Sequence, residues 1–587
     1  MKKLYIFFLL VLPAVLVFTT ALLHYANGPY WIGFNSDPEY VILINSLALA
    51  ESKEASINVH PGTTLHILGA ATLKISHALA SSEKDSLEIS VLKNPEFYLT
   101  VINIVLVIFN TILLFIIGLT AFTLTKNIWL SLLLQFSPFF SNVTFTQALS
   151  RISPEPLLLF ASLLFLLILM KMVFKENLYK SAHWYMIALA LVSGFGMATK
   201  VTFAPLLIIP LFVLPKFRNK ICFLFLTSLN FVLWTWPIIS QYEILFKWYY
   251  RILTHTGYYG LGSMGIINPE TYFRSIINIF LGDTLFFIIL IFSAGFIVVF
   301  GCLKGNSTAK KAVWQDTSFR ILAAVVVAQL FSILITAKHP PIRNLLPLIS
   351  LSGFTLFLIF VYLQRIDYFS YLNIKKVIIF VSIFFIFSSV WRIVEIKNVL
   401  LQKLQIKQES LVLYSRLENE YKNYLKISYS HPLLFSSSPV AALAFGNFFI
   451  TNGLYSESLQ KIYGEAYFYS ALSGNFRTWT KGFSIEDIIL KGHGDKVILY
   501  GPPNSNKIII CMTDSNLYSC MRGWSIEDVS VNGYADKMSC RTSSFLNLKD
   551  VFKGEYVTIY IIEGITTSAG KFQPINHFSF HDIPRPY

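Results

Sequence analysis

The sequence predicts a polytopic all-α membrane protein of about eleven transmembrane helices, followed by a C-terminal mixed α/β domain. Three observations carry that expectation. Only 13% of the 587 residues are charged while 55% are hydrophobic, where a soluble domain is roughly one quarter charged. Apolar runs long enough to cross a bilayer recur until residue 397. Lys and Arg cluster in alternate connections between those runs, the pattern that fixes membrane orientation.

Taken in order, Met1-Lys2-Lys3 precedes an apolar run from Leu4 to Leu23 with no small-residue cleavage site after it. It reads as an uncleaved signal-anchor with its basic flank inside. The expected spans are 4–24, 97–124, 128–148, 156–174, 183–199, 201–215, 221–241, 284–302, 321–337, 345–363 and 377–397. This register puts Lys126, Lys171, Lys175, Lys216, Arg218, Lys304, Arg320 and Arg365 on the inside. An odd number of spans leaves the C-terminal part outside. The expected location is the cytoplasmic (inner) membrane, multi-pass, with the N-terminus inside. The net charge of +15 is thereby absorbed by topology, and no nucleic-acid partner is expected.

The domain division read from composition is 1–397, membrane-embedded with a first external loop at 25–96, and 398–587, external and soluble. In the first loop, residues 40–50 read as a helix lying on the membrane surface. A turn at His60-Pro61-Gly62-Thr63-Thr64 then leads into a second helix running to Ala80. Residues 183–215 form one apolar stretch broken by Gly194, Gly196, Lys200, Pro205 and Pro210, which suits a short hairpin leaving Lys200 facing a cavity within the membrane. The loop 242–283 is Gly-rich and aromatic, suited to wrapping a ligand. The external part opens with an amphipathic helix at 398–426 and continues in strand-like runs at 496–500, 507–510 and 556–560. Of the five cysteines, Cys222 and Cys302 read as packing residues. Cys511, Cys520 and Cys540 leave room for one disulfide.

The chemistry-bearing residues converge on the predicted outer face. Asn35-Ser36-Asp37-Pro38-Glu39-Tyr40 places two carboxylates just past the first span, where charge is costly and usually functional. On the same face fall His60, Arg151, Glu155, Lys200, His255, Lys338, His339 and Arg343. Carboxylates opposed to several cations suit group transfer from an anionic leaving group to a hydroxyl. A carboxylate takes the hydroxyl proton, and Arg, Lys or a divalent metal ion stabilises the departing phosphate. A divalent metal is therefore an open cofactor, with Glu39 and His339 as candidate ligands.

Competing structural roles exist for each residue. Asp37 suits the N-cap of the next helix, Glu39 its dipole, and Arg151 with Glu155 a structural ion pair. Lys200 can snorkel, and Arg343 and Lys338 can act as interfacial anchors. Asp283 suits a helix cap. Tyr455, Tyr463, Tyr467, Phe468 and Tyr469 suit sugar stacking or plain packing.

The motifs Asp37-x-Glu39, His60-Pro61-Gly62-Thr63, Arg151-x-x-Pro154-Glu155, Ala198-Thr199-Lys200 and Arg343-Asn344-Leu345-Leu346-Pro347 resemble, in order and placement, the GT-C superfamily of membrane glycosyltransferases. The nearest in style are bacterial relatives of protein O-mannosyltransferases and of the aminoarabinose transferase acting on lipid A. The resemblance covers residues 1–397. It implies a polyprenyl-phosphate sugar donor, a lipid, glycan or protein acceptor, and a hexosyl- or pentosyltransferase with Asp37 as general base. Catalysis would then rest on Asp37 and Glu39, and substrate binding on Lys200, Arg343, His60, His255, Arg151 and Lys338. Two departures stand out: Pro38 separates acidic residues that adjoin in close mannosyltransferase-like members, and Asn344 stands where an aromatic is usual. Two further readings compete. One is a transporter or flippase of a lipid-linked or anionic substrate, which broken helices and a buried lysine also suit. The other is a non-catalytic scaffold for envelope assembly.

Overall fold

The computed structural model describes residues 2–32, 39–56, 62–80, 85–175, 178–256, 260, 262–303, 313–338, 342–366, 374–419, 425–430, 438–470, 475–483, 497–501, 544–553 and 558–567. Among these, eight helices are long and apolar enough to cross a membrane: Leu4–Asn27, Pro95–Thr125, Pro154–Val173, Ser181–Thr199, Phe217–Thr254, Thr284–Gly301, Thr317–Lys338 and Ile342–Arg365. This is the architecture of a multi-pass helical membrane protein.

The helices run in chain order as α1 (Lys2–Asn27), α2 (Glu39–Ala50), α3 (Thr63–Ala80), α4 (Leu87–Lys93), α5 (Pro95–Thr125), α6 (Ile128–Gln135), α7 (Pro154–Val173) and α8 (Leu178–Thr199). There follow α9 (Ile208–Val213), α10 (Phe217–Thr235), α11 (Tyr242–Thr254), α12 (Pro269–Gly282), α13 (Thr284–Val298), α14 (Thr317–Lys338), α15 (Ser352–Arg365) and α16 (Ile374–Asn419). The last two are α17 (Pro439–Thr451) and α18 (Ser456–Tyr463).

Of the expected spans, 128–148 and 201–215 divide into pieces too short to cross a membrane. The run 128–148 breaks into α6, a 3₁₀ turn at Ser137–Phe140 and a π turn at Thr144–Leu149. Pro138 lacks the N–H that a continuous helix needs there, and at the break Ser137 Oγ donates to the Ser350 carbonyl at 2.5 Å. The run 201–215 is a 3₁₀ segment, Val201–Leu207, followed by the six-residue α9. Pro205 and Pro210 divide it, and neither piece reaches membrane length. The run 377–397 lies inside α16, which passes residue 397 without a break and extends to Asn419.

Among the described residues, two large hydrophobic cores organise the helices. The larger lies among the long helices and includes Leu114, Phe140, Phe165, Phe203, Phe286, Leu322 and Phe354. The second joins segments far apart in the chain. Trp31, Tyr40, Leu43, Leu47, Leu65, Leu92 and Tyr98 pack with Leu443, Tyr455, Phe468 and Trp479 in a single cluster.

Helix α2 sits in the middle of that second core. Every residue of α2 except Leu49 is buried, so it does not lie on the membrane surface as the sequence suggested. The reason is compositional: from Tyr40 to Ala50 it has no charged face to offer water, and a helix that is apolar all round is stable only when covered. α3 covers one side. A Cβ at Gly69 would stand 2.1 Å from Ser46 Oγ, so only glycine lets the two helices approach this closely. α17 covers another side, with Gly446 against the Tyr40 carbonyl.

Polar bonds fix the same junction. Ser56 Oγ donates to the Ile450 carbonyl. Tyr455 Oη donates to Glu51 at 3.0 Å, and Tyr463 Oη to the Leu92 carbonyl at 2.7 Å. Phe468 packs on Trp479 with ring centroids 4.8 Å apart. Tyr455, Tyr463 and Phe468 are therefore packing residues of this core.

The C-terminal strands form a seven-stranded sheet, with β1 (Leu425–Ser430), β2 (Tyr467–Ser470), β3 (Asn475–Arg477), β4 (Gly482–Phe483), β5 (Val497–Gly501), β6 (Ser544–Lys553) and β7 (Thr558–Thr567) in the order β4-β3-β2-β1-β5-β7-β6. β1 pairs parallel with β2 and β5, and the other pairs are antiparallel. The expected strand at 507–510 and Cys511, Cys520 and Cys540 lie outside the described residues. Asp283 caps α13 by accepting from Phe286 N at 3.4 Å, as expected, and is also ion-paired at 3.2 Å with Arg392 of α16.

Candidate functional site

The centre of the site is the entry into α7, Arg151-Ile152-Ser153-Pro154-Glu155. Pro154 takes the first helical position, where its missing N–H costs nothing. Glu155 falls in the first turn, where the helix dipole favours a carboxylate. Ser153 is extended (φ −154°, ψ 174°), so Arg151 lies outside the helix. The i, i+4 spacing therefore does not bring Arg151 onto Glu155, and the ion pair expected between them does not form. Each finds a partner elsewhere.

Arg151 grips Glu39, the first residue of α2, with both arms of its guanidinium. Nε donates to Oε1, and Nη2 donates to Oε2 at 3.2 Å. Nη2 also lies 3.4 Å from the Ile32 carbonyl and 3.5 Å from that of Tyr30. Glu39 is 1% exposed. A buried carboxylate in a two-pronged contact with guanidinium is the arrangement that best offsets desolvation of both charges.

Glu155 takes the second set of partners. Lys200 Nζ donates to Glu155 Oε1 at 2.6 Å, and neither side chain has any exposed surface. Arg343 Nε stands 3.8 Å from the same oxygen. Lys200 is delivered by the break after α8: it is extended (φ −161°, ψ 135°) and caps the 3₁₀ segment that follows. One residue earlier, Thr199 Oγ1 meets Thr64 Oγ1 of α3 at 2.8 Å. Arg343 comes from the 3₁₀ turn Ile342–Leu345, just ahead of Pro347. Lys200 does not face a cavity as the broken hairpin suggested: it has no exposed surface, and its charge is met by Glu155.

The structure adds residues that the sequence gave no reason to single out. Lys403 of α16 donates to Asn27 Oδ1, and Asn27 Nδ2 donates to the Ser150 carbonyl at 3.1 Å, beside Arg151. Burial pushes the Lys403 amine down to about 8; the charge of Arg151 acts in the same direction and that of Glu39 opposes it. One turn on, Lys407 donates to the Tyr25 carbonyl at 2.9 Å and lies 4.1 Å from the Tyr25 ring centroid. Glu96, beside the helix-starting Pro95, accepts from Tyr40 Oη at 2.7 Å and from Tyr30 N at 2.9 Å. In α3, burial holds the imidazole of His66 down at about 4. Lys403 and Lys407 read in sequence as the polar face of an amphipathic helix, which hides a lysine turned inward.

The remaining sequence candidates fall elsewhere. Lys338 Nζ donates to the Leu253 carbonyl at 2.9 Å. His255 follows the end of α11, its Nδ1 2.9 Å from Thr254 Oγ1 and its backbone bridged to Met264. Lys338, the last residue of α14, is therefore bonded to the end of α11, and His255 begins the α11–α12 connection; neither contacts Glu39 or Glu155. Asp37, His60 and His339 lie outside the described residues. Among the described residues, no group of three or more His, Cys, Asp and Glu side chains is arranged to hold a metal ion.

Arg151, Lys200 and Arg343 thus converge on Glu39 and Glu155 from three separate segments, and Lys403 adds a fourth cation from the helix leading to the sheet. Such a cluster can hold an anionic group or stabilise a departing one. No protein-family model matches this chain, and no curated protein matches it.

Proposed function

We propose that the protein is a membrane glycosyltransferase. In this reading it moves a sugar from a polyprenyl-phosphate carrier to an acceptor hydroxyl on the outer side of the cytoplasmic membrane. The observation that carries the reading is the buried cluster of Arg151, Lys200 and Arg343 around Glu39 and Glu155. Four of the five motifs that resemble the GT-C superfamily are the segments that supply these side chains.

In the proposed reaction Asp37, two residues ahead of Glu39, takes the acceptor's hydroxyl proton. The acceptor oxygen bonds to the anomeric carbon as the bond from that carbon to the phosphate oxygen breaks. The electron pair leaves with polyprenyl phosphate, whose charge Lys200 and Arg343 stabilise. Glu39, held on both oxygens by Arg151, is a positioning residue that anchors the start of α2.

The test is release of polyprenyl phosphate and transfer of radiolabelled sugar by the purified protein given a synthetic polyprenyl-phosphate sugar. Asp37→Asn is expected to abolish turnover while leaving the melting temperature unchanged. An Asp37→Asn protein that folds and turns over sinks the assignment. Translocation of the lipid without sugar release identifies a flippase instead.

A further inference from the structure

Between α10 and α13 the chain forms two helices that neither span the membrane nor bury themselves. The apolar stretch Phe217–Thr254 breaks at Ile238, whose backbone (φ −120°, ψ 19°) leaves helical values. α11 beyond the break has 13 residues and α12 has 14. At 1.5 Å per residue each is about 20 Å long, well short of the roughly 30 Å hydrocarbon core.

The surface of α11 divides into three strips. Leu245 is buried against the protein. Phe246, Tyr250 and Leu253 recur at helical spacing along a second strip and are 57%, 58% and 69% exposed. Glu243, Lys247 and Arg251 recur every fourth residue along a third, with Lys247 Nζ 2.6 Å from Glu243 Oε1. The apolar strip lies between the protein and the charged strip.

α12 repeats the arrangement. Ile279 is buried, and Tyr272 Oη donates to the Leu334 carbonyl of α14 at 2.9 Å. Phe273, Ile277 and Leu281 are 63%, 58% and 68% exposed, and Glu270, Arg274 and Asn278 follow them around the helix. α10, the span that leads into α11, also exposes Leu229 and Leu233, and Trp236 just past its end is exposed as well.

We propose that α11 and α12 lie in the plane of a membrane–water interface. Phe246, Tyr250, Leu253, Phe273, Ile277 and Leu281 are then seated among the acyl chains of one leaflet. Two observations favour lipid as the occupant over a second protein. Each apolar strip is bordered by charge on the side away from the protein, which suits a two-phase boundary. The span that leads into α11 also exposes apolar side chains, at Leu229 and Leu233. This placement is independent of the reaction proposed above.

The test uses the full-length protein in liposomes, its native cysteines replaced by serine. Single cysteines are introduced in turn at Leu253, Phe273, Ile277, Lys247 and Arg274, and each is labelled with an environment-sensitive fluorophore. Labels at 253, 273 and 277 are expected to emit to the blue. Nitroxide placed near the lipid headgroups should quench them several-fold more than nitroxide at the bilayer centre, and aqueous iodide should not quench them. Labels at 247 and 274 are expected to respond to iodide. Three results overturn the proposal: iodide quenching at the apolar positions, which puts them in water; strongest quenching from the bilayer centre, which makes the helices transmembrane; or shielding from all quenchers, which means protein covers the strip. Monodisperse elution of every labelled variant establishes that the fold is kept, and all five positions are exposed, so substitution there leaves the core untouched.

Discussion

Lys200 Nζ and Glu155 Oε1 stand 2.6 Å apart with neither side chain reaching solvent, although they come from segments 45 residues apart. Removing one member strands the other in an apolar surround, at a cost of about 3–5 kcal/mol. Lys200→Met is therefore expected to lower the thermal stability of the detergent-solubilised protein markedly. The double variant Lys200→Met, Glu155→Leu should recover most of it. A double variant whose loss equals the sum of the two single losses shows that the pair is not coupled.

The contact between Arg151 and Glu39 depends on a fork geometry that lysine does not possess. Arg151→Lys keeps the charge and loses one charge-assisted hydrogen bond. The expected loss in stability is about 2 kcal/mol, read from denaturant or thermal unfolding. An unchanged unfolding midpoint means that the second prong contributes nothing.

Lys403 supplies a pH dependence at the alkaline end. Its pKa falls from 10.5 unfolded to about 8 folded, so between those values the unfolded chain binds more protons and stability rises with pH. Below pH 8 the protein carries the full cost of a partly buried ammonium, of order 1–3 kcal/mol. Lys403→Met is expected to stabilise the protein at pH 7 and to flatten the rise between pH 8 and 10.5. A rise of the same slope in the variant assigns the effect to another group.

His66 acts at the acid end. Its imidazole is wholly buried and titrates near 4 in place of 6.5. The unfolded chain again takes the proton first, so the stability present above pH 6.5 is lost as pH falls towards 4. His66→Leu is expected to remove that component of acid sensitivity, measured as unfolding midpoint against pH. A variant with the wild-type profile rules it out.

Gly69 and Ser46 test the contact that seats α2 on α3. Gly69→Ala places a methyl group 2.1 Å from Ser46 Oγ, an overpacking expected to cost about 1–3 kcal/mol. Adding Ser46→Gly removes the obstructing side chain, and the double variant should regain part of the loss. No recovery means that the backbones, and not this side chain, set the limit.

The long apolar helices were legible because length and apolar composition are local properties. What was not legible depended on partners far along the chain. Arg151 and Glu155 carried the spacing of a helical ion pair, yet the extended backbone at Ser153 sent them to Glu39 and Lys200. The breaks within 128–148 and 201–215 were signalled by Pro138, Pro205 and Pro210 and outweighed by hydropathy. Helix α2 was misplaced on the surface although its own composition argued otherwise: with no charged residue from Tyr40 to Ala50, it has no side to show to water. Lys403 gave no sign at all, because an inward-facing lysine looks in sequence like an outward-facing one.

The second core sets an order of events in time. Ser56 bonds to Ile450 and Glu51 to Tyr455, across 394 and 404 residues of chain. At about 5–20 residues per second, a ribosome needs roughly 20–80 s to travel from one to the other. Through that interval α2 has emerged without α17 to cover it, uncharged from Tyr40 to Ala50 and short of its final neighbour. Helix α2 therefore reaches its finished packing only late in synthesis, and a chain cut short before residue 439 leaves its α17-facing side uncovered.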